Sequence, residues 1–151
     1  MREAGPTDAG GLAEIHAQAF DHPWSRDSLE ALMAERGAGA LIAGQEGFIL
    51  WRTAAGEAEI LTLAVAPAAR RRGLARALLN EACKRARLDG AQAMFLEVSD
   101  QNAAAVALYD AAGFARAGLR RGYYASLSPP QDALVMRLAL TASPSPPITA
   151  S

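Results

Sequence analysis

A chain of 151 residues is one domain's worth of sequence, long enough to bury a core without disulfide or metal staples. With 51% hydrophobic and 21% charged residues it is too apolar to be disordered over most of its length. Fifteen basic against sixteen acidic residues leave a net charge of −1, which excludes a global basic signature for nucleic acid or an anionic membrane. One cysteine, Cys83, excludes an intramolecular disulfide and a multi-cysteine zinc site. The longest nearly apolar run, residues 60–69, contains Thr62 and Pro67 and is too short to span a bilayer. The opening MREAGPTDAG holds no apolar signal core. The expectation is a single cytoplasmic domain with no membrane and no direct nucleic-acid partner.

Residues 1–7 have room for one short strand. Thr7 or Asp8 is placed to cap a helix through Leu12, Ile15, His16, Ala19 and Phe20, which repeat at helical spacing. His22-Pro23-Trp24 breaks it. Ser25 then reads as an N-cap, its hydroxyl taking the amide three residues on, and helix continues through Leu29, Leu32 and Met33 until Gly37 and Gly39 end it. Residues 40–43 and 47–53 read as strands paired around a Gly44–Gly47 turn, and residues 59–66 (EILTLAVA) as a well-buried strand stopped by Pro67. From Gly73, Leu74, Ala75, Leu78, Leu79, Ala82, Cys83 and Ala86 form a helical apolar stripe closed by Asp89-Gly90. Residues 93–98 (AMFLEV) read as a strand, 102–112 as a short helix with Gly113 at its end, and 114–118 and 133–140 as two further strands. A loop containing Arg120, Arg121, Gly122, Tyr123 and Tyr124 is expected between those last two. The terminal eleven residues, 141–151, carry three prolines and no charge and read as a disordered tail behind a domain of residues 1–140. The order ααβββαβαββ, with room for a strand in front, describes an α/β fold around a mixed sheet with helices on both faces.

Chemistry concentrates where the strand 59–66 meets the long helix through Arg70-Arg71-Arg72-Gly73-Leu74-Ala75. Unpaired amides at a helix start, the helix dipole and a glycine that lets backbone approach a ligand make an anion site there. No Gly-Lys-Ser/Thr follows, and the three glycines of the dinucleotide fingerprint are absent. The pyrophosphate-bearing ligand is thus of another kind. An alternative reading is a solvated basic turn. Glu97 interrupts the apolar strand AMFLEV, with Met94, Leu96 and Val98 on one face and Phe95 beside it on the other. Cys83 and His16 read as packed residues within helical stripes, and His22 as a turn residue. One cysteine, two histidines and no spaced carboxylate cluster give no metal site.

Arg70-x-x-Gly73-x-Ala75 fits the Arg/Gln-x-x-Gly-x-Gly/Ala signature of the GCN5-related N-acetyltransferases, and the chain resembles that family over about residues 1–140. HPWS, ILTLAVAP, LEVSDQNAAAVALYDAAGF, RRGYY and DALVMRL occur in order and resemble its bacterial branch acting on the N-terminal alanine of ribosomal protein S18. The resemblance implies a GNAT fold in which a splayed strand pair forms the acetyl-coenzyme A site. Backbone groups of Leu63, Ala64 and Val65 would hold the pantetheine arm. The amides of Arg71, Arg72, Gly73, Leu74, Ala75 and Arg76 would wrap the pyrophosphate. Asn102 would touch the cofactor, or else act only as a helix cap. Glu97 would be the general base and Tyr109 the general acid, its alternative role being core packing. Trp24 would line one side of an acceptor groove, and Arg121, Tyr123 and Tyr124, in the expected loop, the other; Asp132 would orient that loop or face the substrate. The implied enzyme is an acetyl-coenzyme A-dependent N-acetyltransferase, a monomer or weak dimer that needs no metal. The same chemistry on a lysine or small amine, and a non-catalytic acyl-coenzyme A-binding domain, are the two alternatives.

Overall fold

In a computed structural model the described residues are 1–124 and 131–140. The elements run β1 (Arg2–Glu3), α1 (Ala9–Ala19), α2 (Arg26–Met33), β2 (Ala38–Ala43), β3 (Gly47–Ala54), β4 (Glu57–Val65), α3 (Leu74–Leu88), β5 (Ala93–Ser99), α4 (Ala103–Ala111), β6 (Ala115–Tyr124) and β7 (Gln131–Ala139). The strands form one sheet in the order β1-β2-β3-β4-β5-β7-β6. Every pairing is antiparallel except β4 with β5. The expected tail, 141–151, lies outside the described residues.

Two apolar layers hold the sheet. On one face Leu78, Leu79 and Ala82 of α3 pack on Ile49, Trp51, Met94, Leu96 and Met136. On the other, Leu12 and Ile15 of α1 and Leu29 and Met33 of α2 pack on Ala40, Ile42, Phe48 and Leu50. Leu78 and Leu79 are fully buried; truncating either to alanine costs about 2–5 kcal/mol. Helices α1 and α2 cover only the β1–β4 half of their face. The α3/α4 side takes Met94, Leu96 and Val98 of β5, so alternation turns Phe95, Glu97 and Ser99 to the other face.

Local signals account for most element ends. The Ser25 hydroxyl accepts the Ser28 N–H at 3.1 Å, as expected of the α2 cap. Asp8 does precede α1, but its carboxylate turns back, accepting the Gly5 N–H at 2.9 Å and pairing with Arg2 at 2.7 Å. Phe20 falls outside α1, extended and 40% exposed. Helix α2 ends at Met33, before the two glycines expected to stop it. Gly37 instead supplies a φ of +83°, and a Cβ there would meet the Thr53 carbonyl oxygen at 2.1 Å. Gly39 lies within β2 beneath the Trp51 ring.

The largest correction concerns β6. Arg120, Arg121, Gly122, Tyr123 and Tyr124 belong to this strand rather than to a loop. Arg120 pairs with Ala133 and Tyr124 with Gln131 of β7, and between those pairs the ladder is irregular. Gly122 there takes a φ of +62°, and its N–H donates to Asp132 Oδ1 at 2.7 Å. A carboxylate on the neighbouring strand thus fixes the bulge that the bare sequence reads as a turn.

Strands β4 and β5 separate. They pair only at Glu57–Ala93, Ala58–Met94 and Glu59–Phe95. Beyond that point β4 stays with β3 as far as Val65, and β5 stays with β7 as far as Ser99. The separation begins where β4 carries an extra residue: Ile60 pairs with Trp51 and Thr62 with Leu50, leaving Leu61 unmatched. Such a bulge bends its strand and increases the local twist. It also resets the alternation, so Ile60 and Leu63 pack towards α3 while Leu61 and Ala64 pack towards α1 and α2.

Candidate active site

Between β4 and α3 the chain makes a 3₁₀ turn, Pro67–Ala69, and then the arginine loop. Arg71 and Gly73 both adopt positive φ, 66° and 77°. The Arg70 side chain donates to the Val65 carbonyl and Arg72 to the Ala68 carbonyl, each at 3.2 Å. Two of the three guanidiniums therefore brace the loop itself. The first helical bond of α3 runs from Ala77 N–H to the Gly73 carbonyl, so the amides of Leu74, Ala75 and Arg76 precede the ladder. A Cβ on Gly73 would meet no atom within 4 Å. The exposed loop, its helix-start amides and the open space over Gly73 fit a pyrophosphate.

The opening between β4 and β5 is a crevice of about 560 Å³. Thr62 and Leu63 line its β4 side, Glu97 its β5 side, Asn102 and Tyr109 its α4 side. It passes through the sheet. Glu97 lies on the face carrying α1 and α2, whereas Tyr109 belongs to the apolar layer of α3 and α4. Strand separation also leaves backbone groups of residues 60–65 without a β5 ladder, available to a ligand that carries amides. Leu63 reaches the crevice; Ala64 and Val65 are buried behind it.

Glu97 is partly buried, and its Oε1 accepts from Arg120 Nη1 at 2.7 Å. Tyr109 packs its ring edge-on to Phe114, with centroids 5.6 Å apart. Burial pushes its phenol up to about 12, so it holds its proton throughout the neutral range. Asn102 caps α4 through its side chain, which accepts the Ala105 N–H at 3.2 Å, and it lines the crevice as well.

On the α1/α2 side of the crevice Trp24 is 38% exposed, and Tyr124 of β6 lines the same crevice. Tyr123 meets Tyr124 edge-on at 5.1 Å and lies under the Arg120 guanidinium, 4.2 Å from the ring centroid. Arg121 is exposed on β6 and does not line the crevice; the arginine brought to Glu97 is its neighbour, Arg120. Asp132 acts on the strand, through Gly122.

Three participants escape a reading by periodicity. His16 is packed, as expected, yet it borders the crevice and reaches Thr62. Thr62 sits inside a run that reads as plain buried strand. Gln131 borders the crevice in a hydrogen bond with Ser99. Each depends on partners far away in sequence, so no local signal marks it.

The model of the acetyltransferase (GNAT) family matches residues 5–114. Over 139 residues the chain is 33% identical to the ribosomal protein bS18-alanine N-acetyltransferase of Escherichia coli K12, covering 89% of this chain and 93% of that protein. The crystal structure of the ribosomal-protein-S18-alanine N-acetyltransferase from Escherichia coli superposes with a TM-score of 0.84 at 30% identity, covering 93% of each chain. Salmonella typhimurium yncA, solved with its cofactor acetyl-CoA, gives a TM-score of 0.78 at 25% identity, covering 96% of this chain and 95% of that one.

Proposed function

The chain belongs to the GNAT acetyltransferase family and is an acetyl-coenzyme A-dependent N-acetyltransferase; from that premise we propose that its acceptor is the N-terminal alanine of ribosomal protein S18. The likeness to the bS18-alanine N-acetyltransferase supports that acceptor. The observation that supports the transfer chemistry is the through-sheet crevice, with Glu97 on one face of the sheet and Tyr109 on the other. A thioester seated from the α3/α4 side and an amine arriving from the α1/α2 side would meet between them. The loop Arg71–Arg76 binds the pyrophosphate through its amides. The pantetheine arm lies along Leu63, Ala64 and Val65, and Asn102 touches it at the head of α4.

An N-terminal ammonium, with a pKa of about 8, must lose a proton before it attacks. Glu97 takes that proton through a water held at its free oxygen. The neutral nitrogen then forms the bond to the acetyl carbon as the carbon–sulfur bond breaks. Tyr109 gives its phenolic proton to the departing sulfur, and the acylated nitrogen releases its second proton to solvent, from which Tyr109 is reprotonated. Cys83 takes no part. It is buried in the α3 stripe, its thiol pushed up to about 11, so transfer is direct. Trp24, Tyr123 and Tyr124 border the path of an acceptor peptide, and Arg121 contributes from the exposed side of β6. The catalytic unit is residues 1–140, working in the cytoplasm as a monomer or weak dimer without nucleic acid or membrane.

Coenzyme A release measures this directly. A peptide with the S18 N-terminal sequence is expected to turn over, the same peptide blocked at its N-terminus is not, and a panel of small amines is expected to be slow. Turnover confined to small amines would keep the chemistry and remove the ribosomal acceptor.

A further inference from the structure

His16 is 3% exposed at the junction of three elements, and both of its ring nitrogens are engaged. The Trp24 backbone N–H donates to Nδ1 at 3.1 Å. Nε2 lies 3.2 Å from the Thr62 hydroxyl on the separated part of β4. The ring stacks on Phe20 at 4.3 Å and on Trp24 at 5.2 Å. A backbone N–H can only donate, so Nδ1 must carry a lone pair; the neutral ring then holds its proton on Nε2 and donates it to Thr62. A charged ring would set a second N–H against that of Trp24. Burial works in the same direction, lowering the imidazole below its ordinary value.

We infer that His16 is a positioning residue that ties the acceptor side of the crevice, carried by Trp24, to the cofactor strand at Thr62, and that it does so as the Nε2-protonated neutral tautomer. It joins the α1–α2 segment, which has no sheet ladder of its own, to a strand whose β5 partner has moved away. The inference rests on Trp24 bordering the acceptor path, as proposed above, but not on which amine is accepted. Two substitutions separate its hydrogen bonds. Asparagine places an acceptor where Nδ1 stands and cannot reach Thr62; glutamine reaches the Nε2 position and leaves the Trp24 N–H without its acceptor. Both lose the ring stacking equally, so the difference between them sets the Trp24 bond against the Thr62 bond.

The test pairs spectroscopy with kinetics. A long-range ¹H–¹⁵N spectrum of the wild-type protein is expected to show Nε2 protonated and Nδ1 bare. His16→Gln is expected to lose protection of the Trp24 amide and to raise the acceptor KM about tenfold. Its kcat and its acetyl-coenzyme A KM should stay at wild-type values. His16→Asn, which keeps the Trp24 bond but cuts the tie to Thr62, is expected to keep the amide protected and to raise the acceptor KM less, by about threefold. The opposite tautomer overturns the inference, as does an equal rise in both KM values or identical behaviour of the two variants. If small amines turn over and the peptide does not, the S18 reading falls while the comparison runs on the amine. Tautomer and amide protection are read without turnover.

Discussion

The Arg120 guanidinium of β6 stands 2.7 Å from the Glu97 carboxylate of β5, so the proposed base lies within an ion pair. One carboxylate oxygen is taken by Arg120, and Glu97 lines the crevice. Glu97→Gln keeps an oxygen for Arg120 but abolishes proton acceptance. It is expected to lower kcat by ~10²–10⁴-fold while acetyl-coenzyme A affinity and melting temperature stay unchanged. Arg120→Gln, which removes a half-exposed partner, should melt like the wild type and lose far less activity. Steady-state kinetics at saturating acetyl-coenzyme A checks both, and a Glu97→Gln enzyme with full kcat would remove Glu97 from the chemistry.

Gly73 offers a test of the phosphate loop that separates folding from binding. Its φ of +77° strains any L side chain, yet a Cβ would touch nothing in the free protein. Gly73→Ala is therefore expected to cost about 1–2 kcal/mol of stability from conformation alone. Its acetyl-coenzyme A affinity should fall by at least about tenfold, because the added methyl fills the approach to the amides. Gly73→Asn tolerates the left-handed region better and should recover stability without recovering affinity. Thermal melts and calorimetric titration of acetyl-coenzyme A distinguish the two effects.

What the sequence carries locally it shows plainly. The α3 stripe, the arginine loop before it and the polar interruption at Glu97 are all readable from spacing, and each lies where its spacing places it. The misread elements depend on distant partners. Strand β6 has exposed residues along nearly its whole length, so no alternation announces it, and Gly122 suggests a turn until Asp132 is seen to hold it in a bulge. The extra residue at Leu61 leaves the run EILTLAVA looking like any buried strand, although it marks where the sheet comes apart. His16 sits on an apolar helix face, and its polar partners lie 8 and 46 residues further along the chain.

Direct transfer predicts that the one cysteine is dispensable. Cys83 is buried in α3 and burial raises its thiol to about 11, which keeps it from acting as a thiolate nucleophile near neutrality. Cys83→Ala should retain wild-type kcat at the expense of a small core cavity, about 1 kcal/mol of stability. A thiol reagent should label Cys83 in the native protein only at the rate of transient opening, and rapidly once urea unfolds it. Loss of turnover in Cys83→Ala with an intact melt would point to an acetylated-cysteine intermediate instead.

Tyr109 yields a prediction in which activity and stability move apart. Burial lifts its phenol from the ordinary 10 to about 12, so the folded protein keeps the proton that the assigned acid has to give. Tyr109→Phe preserves the ring against Phe114 and removes only the hydroxyl. It is expected to lower kcat by ~10²-fold or more, by the same factor from pH 7 to about 9, because no ionisation of Tyr109 intervenes there. Stability follows the other half of the cycle. A folded value raised above the unfolded one gives stability that is complete below pH 10 and lost as pH rises towards about 12, because the unfolded chain sheds its proton first. Tyr109→Phe has no such proton to lose. The two proteins should therefore melt alike at neutral pH, and the variant should become the more stable of the two above about pH 10. Urea titrations at pH 7 and at pH 11 read the difference; a gap of the same size at both would mean that the hydroxyl is already solvated in the folded protein.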